Sequence, residues 1–209
     1  MSDRKVCVIG LGYIGLPTAA LLASNGYSVV GVDINMNTVT TVNKGMAPFG
    51  EPGLIKFIRS GVNLRRLLAV TEPQKADVYI ICVPTPFHEG NSNPEPNIDY
   101  VLRATREIAP YVKEGSLVIL ESTSPVGTTQ KVEETLSNIG VNVDSINIAY
   151  CPERVLPGHI MKELTENDRI VGGITPKATK IAANFYRTFV RGAVLETNAK
   201  TAEMCKLVE

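Results

Sequence analysis

The 209-residue chain contains 21 basic and 21 acidic residues, and 44% of its residues are hydrophobic and 20% are charged. These proportions are typical of globular proteins and exclude a disordered or fibrous chain. The net charge of zero gives no electrostatic reason to expect a nucleic-acid or anionic-membrane partner. At a usual domain size of about 150 residues, the length fits one large domain, or one domain with part of a second.

The amino-terminal segment and the cysteines favour a cytoplasmic protein without a metal centre. The first apolar run ends at Gly10, too early for a secretion signal, and no run approaches the roughly 20 residues of a membrane-spanning helix. The four cysteines are far apart and only two histidines accompany them, so no spacing typical of a zinc site occurs. Cys7 and Cys82 lie in apolar, strand-like runs and are predicted to be buried, unreactive thiols.

Short β-rich runs alternate with amphipathic stretches up to residue 150, which predicts parallel β-α-β units in a doubly wound α/β fold. We expect a mainly parallel sheet with helices on both faces. Helices are predicted over residues 14–25, 98–112 and 126–139, each stopping near a glycine, as is typical of helix C-termini. The predicted strands are residues 5–10, 28–33, 67–71, 77–83, 116–121 and 146–150.

Further elements are predicted after residue 150. They are an irregular segment (151–158), a strand (169–173), a helix (176–190), a strand (193–197) and a last helix from Ala199. The last helix is still running at Glu209 without a capping residue, so we expect a domain fragment rather than a complete protein. We assign residues 1–198 to the α/β domain and residues 199–209 to the start of a linking helix.

Residues 84–97 contain four prolines and Gly90 and are predicted to form a loop. A loop directly after a parallel strand lies at the carboxyl edge of the sheet, where open α/β folds bind ligands. We therefore expect this loop to form one wall of a binding site. A plain surface connection is the alternative.

A glycine-rich motif, Gly10-x-Gly12-x-x-Gly15, joins the first predicted strand to the first predicted helix. In such a motif the first glycine permits a tight turn, the second lets the backbone approach a pyrophosphate, and the third lets helix and strand pack closely. Tyr13 and Ile14 lie at the opening of the helix, whose free N–H groups favour an anion. The motif therefore predicts that these five residues hold the phosphates of a dinucleotide.

Asp33 ends the second predicted strand, near the distance of about 20 residues from the motif at which an acid binds the adenosine ribose hydroxyls. A carboxylate there repels a 2′-phosphate, and Lys44 lies too far along the chain to restore a phosphate site. Strand, glycines and acid together predict a Rossmann-like domain that binds NAD rather than NADP. The alternative for Asp33 is a cap of the following helix.

Five motifs together resemble the nucleotide-sugar 6-dehydrogenases, the family that includes the UDP-glucose and GDP-mannose dehydrogenases. They occur in the family's order and extend from one end of the chain to the other. They are GLGYIGLP (10–17), VPTP (83–86), ESTSPVG (121–127), CPERVLPG (151–158) and TAEMCKLVE (201–209). The resemblance implies an NAD-dependent oxidoreductase of nucleotide-sugar metabolism and polysaccharide biosynthesis, with a UDP-sugar as substrate.

The sequences of three motifs most resemble those of family members that act on UDP-N-acetyl-D-mannosamine. These motifs are CPERVLPG, TAEMCKL and NDRIVGG (167–173). UDP-N-acetylglucosamine, UDP-N-acetylgalactosamine and UDP-glucose are alternative substrates. An alternative of another class is a non-catalytic NAD-binding module that serves as a sensor or scaffold.

The resemblance also implies a reaction, the oxidation of a primary alcohol at sugar C6 to a carboxylate by two hydride transfers, each to its own NAD. In the family a cysteine thiol holds the carbonyl intermediate as a thiohemiacetal, which is oxidised to a thioester and then hydrolysed. That cysteine lies in a G-x-G-G-x-C motif, which this chain lacks, and Cys151 and Cys205 stand at positions that the family does not use. We therefore expect the chain alone to bind NAD without turnover.

Three residues match catalytic positions of the family. The counterpart of Thr123 holds a water near the nicotinamide, that of Glu153 acts on water in the hydrolytic step, and that of Lys206 stabilises an oxyanion. From the residues alone, plainer interpretations exist: a hydroxyl of residues 122–124 that caps a helix, a solvated loop glutamate and a solvated helix lysine.

The resemblance implies further binding residues. Val83, Pro84 and Thr85 of the VPTP motif, with Thr123, are assigned to the cofactor site. A second segment, residues 154–156 (Arg154, Val155 and Leu156), matches the part that contacts the nucleotide sugar in the family, through backbone or side-chain groups. Because the family's long central helix builds a dimer, we expect a homodimeric full-length protein and a monomeric or weakly dimeric chain here.

Overall fold

The computed structural model describes residues 4–88 and 95–208. Over these ranges the chain forms one sheet whose strands are β1 (Lys5–Ile9), β2 (Ser28–Val32), β3 (Leu67–Val70), β4 (Val78–Ile81), β5 (Leu117–Leu120), β6 (Asn147–Tyr150), β7 (Arg169–Gly173) and β8 (Val194–Asn198). The α-helices are α1 (Gly15–Ser24), α2 (Met36–Asn43), α3 (Leu54–Asn63), α4 (Asp99–Ile108), α5 (Thr128–Asn138), α6 (Ile160–Glu166), α7 (Pro176–Tyr186) and α8 (Ala199–Leu207).

The sheet has the strand order β3-β2-β1-β4-β5-β6-β7-β8. The first six strands pair in parallel, as predicted, whereas β7 is antiparallel to β6 and β8 is parallel to β7. The chain builds outward from β1 in one direction and from β4 in the other. This order is that of a Rossmann-like doubly wound fold, and it opens a crevice at the carboxyl ends of β1 and β4, where such folds bind ligands.

Two apolar layers cover the two faces of the sheet. On β1, Val6 and Val8 belong to the layer that contains residues of α1, α3, α6 and α7, while Cys7 and Ile9 belong to the layer that contains residues of α4, α5 and α8. Strands buried on both faces are apolar at nearly every position. For this reason the sequence pattern predicts the strands closely, with differences only at their ends.

The predicted ends of the first and third helices, at residues 25 and 139, are confirmed within one residue. Gly26 and Gly140 follow α1 and α5 with φ angles of 95° and 97°, a left-handed conformation that glycine adopts without a steric cost. The predicted helix over residues 176–190 ends earlier, at Tyr186, and the one over residues 98–112 ends as α4 with a 3-10 turn, Ala109–Tyr111.

Three helices, α2, α3 and α6, are absent from the predicted set. The sequence of α2, MNTVTTVN, is rich in residues with weak helix propensity, and α6 has only seven residues. Helix α3 contains Gly61, where an added Cβ would lie 2.9 Å from the Cβ of Leu67, so close packing onto β3 requires a poor helix former. Tertiary contacts therefore stabilise these helices against their local preference.

The predicted loop after β4 lies at the carboxyl edge of the sheet, as expected. In its described parts, Phe87 and Pro96 form an isolated antiparallel bridge, and the Asn97 amide donates to the Pro86 carbonyl at 2.7 Å. Residues 89–94, with Gly90 and Pro94 of the predicted loop, lie outside the described residues. The two ends of the loop are thus held close together beside the crevice.

Helix α8 begins at Ala199, the predicted position, and packs against β7. Ala199, Ala202 and Glu203 are buried in this contact. The predicted division into an α/β domain (1–198) and a linking helix (199–209) stays a prediction. Within the described residues, α8 packs into the same core as the rest of the chain. No helix in residues 4–88 and 95–208 is long and apolar enough to cross a membrane.

Candidate functional site

Two adjoining cavities lie at the carboxyl edge of the sheet, and they share the walls formed by Gly10, Asp33, Val83 and Pro84. The smaller, of about 210 Å³, is largely apolar, and Ile34 and other side chains from β1, β2 and α4 line it. The larger, of about 490 Å³, is more polar and is bordered by the glycine-rich loop, β4, β5 and the segment after β6. We refer to the two cavities together as the cleft.

The three glycines of the motif have different surroundings. Gly10 has a φ of 93°, and an added Cβ would lie 2.5 Å from the Cys82 carbonyl oxygen. A Cβ on Gly15 would overlap the carbonyl oxygen of Gly10, so these two glycines are required by the fold itself. A Cβ on Gly12 would meet no atom within 4 Å, because this residue faces the open cleft. The space at Gly12 is therefore available to a ligand, as a dinucleotide site requires.

The amino terminus of α1 opens onto the larger cavity, which Tyr13 and Ile14 line. No side chain caps the helix at Ile14, and its first turn contains no acidic residue. Uncapped N–H groups and the positive end of the helix dipole favour an anion at this position. The Tyr13 side chain is 56% exposed, and its ring packs on that of Phe49 with the ring centroids 4.3 Å apart.

Asp33 lies at the end of β2, between the two cavities. Its Oδ2 accepts a hydrogen bond from the Leu11 amide at 3.0 Å and its Oδ1 one from the Asn35 amide at 2.8 Å. The cap of α2 is Asn35, whose side chain accepts from the Asn37 amide. The capping alternative for Asp33 is thus wrong, because this carboxylate instead fastens the glycine-rich loop to β2.

The structure brings the three predicted catalytic residues, Thr123, Glu153 and Lys206, to the larger cavity. Thr123 is exposed at its rim, and its carbonyl oxygen accepts a hydrogen bond from the Thr85 hydroxyl at 2.6 Å. The Lys206 ammonium donates to the carbonyl oxygen of Glu153 at 2.7 Å. Residues from the segment after β5, the segment after β6 and helix α8 therefore meet in one place, although more than 80 positions separate the first from the last.

The plainer interpretation of Glu153 as a solvated loop residue is wrong. Glu153 is 6% exposed and forms an ion pair with Arg169, which is 3% exposed. The Arg169 guanidinium also donates to the Leu164 carbonyl at 2.9 Å and lies 5.5 Å from the centroid of the Tyr186 ring. Arg169 was not singled out by the sequence, although a charged residue that opens the apolar strand RIVGG is an available signal.

The interpretation of residues 122–124 as a helix cap is also wrong. Helix α5 begins only at Thr128, and its amino terminus is held by Glu203 of α8. The Glu203 carboxylate accepts from the Gly127 amide at 2.6 Å, and from the Thr129 amide and hydroxyl at 2.7 and 2.6 Å. The buried Glu203 thus ties the helix that carries Lys206 to the element that follows Thr123. Glu203 lies within TAEMCKL, but no residue pattern in the sequence singles it out.

A second buried carboxylate, Glu121, lies in the wall of the larger cavity. It accepts hydrogen bonds from the Tyr186 hydroxyl at 2.5 Å and from the Cys82 thiol at 3.2 Å. Burial raises the pKa of the Glu121 carboxyl, while Arg169 and these two hydrogen bonds act in the opposite direction.

Three of the cysteines, Cys7, Cys82 and Cys151, are held as neutral thiols. Burial raises the pKa of Cys7 to about 11 and that of Cys151 to about 12. Desolvation and the nearby Glu121 raise the pKa of Cys82 well above its usual value. Cys82 is nevertheless partly exposed as a residue and lines the cleft, whereas the sequence predicted a buried residue. A thiol that stays protonated is a weak nucleophile.

The segment of residues 154–156 is irregular and is held by side chains of neighbouring elements. Val155 lines the larger cavity, whereas Arg154 and Leu156 are exposed and lie outside the lining of the two cavities. The Leu156 amide donates to Glu163 at 2.7 Å, and the Asn167 side chain donates to the Arg154 carbonyl at 2.8 Å.

Of the predicted cofactor residues, Gly15 lies behind the loop, and the others line the larger cavity: Gly10, Gly12, Tyr13, Ile14, Asp33, Val83, Pro84, Thr85 and Thr123. Among residues 4–88 and 95–208, no group of three or more His, Cys, Asp or Glu side chains could hold a metal ion.

Comparison with known proteins identifies relatives of this chain. The curated relatives include UDP-N-acetyl-D-mannosamine dehydrogenase of Campylobacter jejuni, 52% identical over 99% of this chain and 52% of the relative. They also include an NDP-N-acetyl-D-galactosaminuronic acid dehydrogenase of Ralstonia nicotianae, 49% identical over 99% of this chain and 50% of the relative. The chain thus spans about half the length of these relatives.

A solved structure with the same fold is that of a UDP-D-ManNAc dehydrogenase from Pyrococcus horikoshii, with a TM-score of 0.91 and 42% identity over 98% of this chain and 49% of that one. The model of the UDP-glucose/GDP-mannose dehydrogenase family, NAD binding domain, matches residues 4–190. The chain therefore belongs to the UDP-glucose/GDP-mannose dehydrogenase family and contains its NAD-binding domain.

Proposed function

We propose that this chain is the NAD-binding part of a UDP-sugar 6-dehydrogenase that oxidises UDP-N-acetyl-D-mannosamine to UDP-N-acetyl-D-mannosaminuronate with two NAD. The observation that carries the proposal is the meeting of Thr123, Glu153 and Lys206 in the cavity that also contains the glycine-rich loop. The name of the Campylobacter jejuni relative supports the mannosamine substrate. The Ralstonia nicotianae relative, almost as similar, makes the N-acetylgalactosamine sugar the second candidate.

The cleft offers separate places for the parts of NAD. Asp33 and the smaller, apolar cavity suit the adenosine, while Gly12 and the uncapped end of α1 suit the pyrophosphate. Val83, Pro84, Thr85 and Thr123 then border the larger cavity, on the side of the nicotinamide. When bound there, NAD supplies the hydride acceptor.

The three catalytic residues have separate tasks in this proposal. The Lys206 ammonium provides positive charge at the larger cavity, where an oxyanion develops when a nucleophile attacks carbon. The Thr123 hydroxyl, exposed at the rim, holds a water. Arg169 fixes the direction of the Glu153 carboxylate, which accepts a hydrogen bond from the water that hydrolyses the thioester.

The nucleophilic thiol is proposed to come from outside these 209 residues. Cys7, Cys82 and Cys151 are neutral thiols, and Cys205 lies beside Lys206 at a position that the family does not use. The chain alone is therefore proposed to bind NAD without oxidising the sugar. The longer protein is proposed to be a homodimer. Residues 154–156 supply one side of the UDP-sugar site.

The test compares the chain alone with a fusion of the chain to the second half of the Campylobacter jejuni relative. With NAD and UDP-N-acetyl-D-mannosamine, the fusion should form two NADH per sugar, and the chain alone should form none above background. Faster turnover of UDP-N-acetylgalactosamine by the fusion would favour the second candidate. Turnover by the chain alone, lost on replacing Cys151 or Cys205, would contradict the placement of the thiol.

A further inference from the structure

The connection between α2 and α3, residues 44–53, contacts two parts of the cleft that are far apart in the sequence. Phe49 packs on Tyr13 of the glycine-rich loop. Two residues later, Glu51 binds the backbone at the end of the segment that follows β6. No sequence motif singles out this connection, and its residues do not line either cavity.

Glu51 makes two hydrogen bonds across a sequence separation of more than 100 residues. Its Oε2 accepts from the Gly158 amide at 2.8 Å, and its Oε1 accepts from the Ile160 amide at 2.9 Å. The residue is 8% exposed. Hydrogen bonds to a carboxylate are stronger than those between neutral groups, and shielding from water strengthens them further. Both carboxylate oxygens are thus committed to the backbone of another part of the chain.

The segment between β6 and α6 has no regular structure over residues 151–156, so its shape depends on such side-chain hydrogen bonds. Lys206 holds it at the Glu153 carbonyl, and Glu163 of α6 holds it at the Leu156 amide. Glu51 fixes its far end, where the chain turns into α6. Of these three anchors, Glu51 alone comes from the first half of the domain, on the side of the glycine-rich loop.

We infer that Glu51 is a positioning residue for the UDP-sugar, acting through the backbone amides of Gly158 and Ile160 on the segment of residues 153–156. The identity of the ligand rests on the proposed function, whereas the hold on the backbone does not. The Glu51 carboxylate binds the Gly158 and Ile160 amides, neither of which is assigned to the cofactor site, so its loss weakens UDP-sugar binding far more than NAD binding. Since Phe49 of the same connection contacts Tyr13, NAD affinity must be measured alongside.

The first test uses the 209-residue chain and the variant Glu51→Gln, which keeps the size of the side chain but replaces one accepting oxygen by an NH₂ group. Amide hydrogen exchange of peptides that cover residues 154–160 should become about tenfold faster or more, as expected when a hydrogen bond to a charged group is lost. The dissociation constant of NAD should change less than twofold. The control Glu166→Gln removes an exposed carboxylate of α6 that pairs with Lys162, and should change neither.

The second test uses the active fusion. Glu51→Gln should raise the KM for the UDP-sugar about tenfold and change the KM for NAD less than twofold, a split that a general loss of stability would not produce. Glu51→Asp, which keeps the charge but is shorter, should give an intermediate effect, and it replaces Glu51→Gln in both tests if the latter does not fold.

Unchanged exchange in residues 154–160, or equal rises in both KM values, would overturn the role of Glu51. A fusion of the unaltered chain that oxidises no UDP-sugar would refute the proposed function instead. In that case the exchange measurement on the 209-residue chain still decides whether Glu51 holds the segment.

Discussion

Replacing Gly12 by valine should impair NAD binding while leaving the stability of the fold almost unchanged. An added Cβ at Gly12 meets no atom within 4 Å, and the residue is not in the left-handed conformation. The free energy of unfolding of the ligand-free chain should therefore change by less than about 0.5 kcal/mol, as for a surface substitution. The side chain would occupy the space assigned to the pyrophosphate.

The expected loss of NAD affinity is large. Displacing the pyrophosphate from two backbone amides costs about 3–6 kcal/mol, since each hydrogen bond to a charged group contributes roughly 1.5–3 kcal/mol. This corresponds to a dissociation constant raised at least about 100-fold. Titration calorimetry measures the affinity, and thermal unfolding of the ligand-free protein measures the stability.

Gly15→Ala is the contrasting control. Its Cβ overlaps the carbonyl oxygen of Gly10, so this variant should unfold at a clearly lower temperature without ligand. Normal NAD binding by Gly12→Val would refute this assignment, because it would show that the pyrophosphate does not occupy the space beside Gly12. An equal loss of stability in both variants would refute it as well.

Three further predictions concern residues of the cleft and its supports. The unaltered chain should bind NAD at least about tenfold more tightly than NADP. Asp33→Ser should reduce this difference in affinity, because it removes the repulsion of a 2′-phosphate. Equal affinities in the unaltered chain would contradict the role of Asp33. Glu203→Gln should lower the free energy of unfolding by about 1–3 kcal/mol, measured by urea denaturation, because at least one buried hydrogen bond to the amino terminus of α5 is lost; an unchanged midpoint would show that this cap adds no stability. In the active fusion, Lys206→Ala should lower kcat about 100-fold, the scale for removing an oxyanion partner, and a kcat within threefold of the unaltered value would remove Lys206 from the mechanism.

Much of the architecture could be predicted from the sequence because the signals are local. The apolar runs of β1, β2 and β4–β6 and the glycines after α1 and α5 report burial and helix ends within a few residues of themselves. The position of residues 84–97 directly after a parallel strand likewise predicted that this loop lies at the carboxyl edge. The reversal of β7 could not be predicted in this way, since strand direction depends on the path of the whole connection.

The residues that hold the site in place could not be predicted from local sequence patterns either, because their contacts are also long-range. Glu51, Arg169 and Glu203 each act on groups 16 or more positions away, so no periodicity or spacing encodes their contacts. Glu153 was recognised only through its motif, and its plainer interpretation as a solvated residue failed because its partner Arg169 lies on β7, 16 positions along the chain. Buried charges of this kind are visible in the sequence only as charged residues within otherwise apolar elements.

The central proposal is that this chain supplies the NAD site and the water-directing carboxylate, and that the nucleophilic thiol comes from another part of the protein. Glu153→Gln in the active fusion should slow thioester hydrolysis, so that a burst of NADH precedes a slow steady state and an acyl-enzyme accumulates. Mass spectrometry of the quenched protein then identifies the cysteine that carries the sugar. We expect an adduct on a cysteine outside residues 1–209, and an adduct on Cys151 or Cys205 would contradict the proposal.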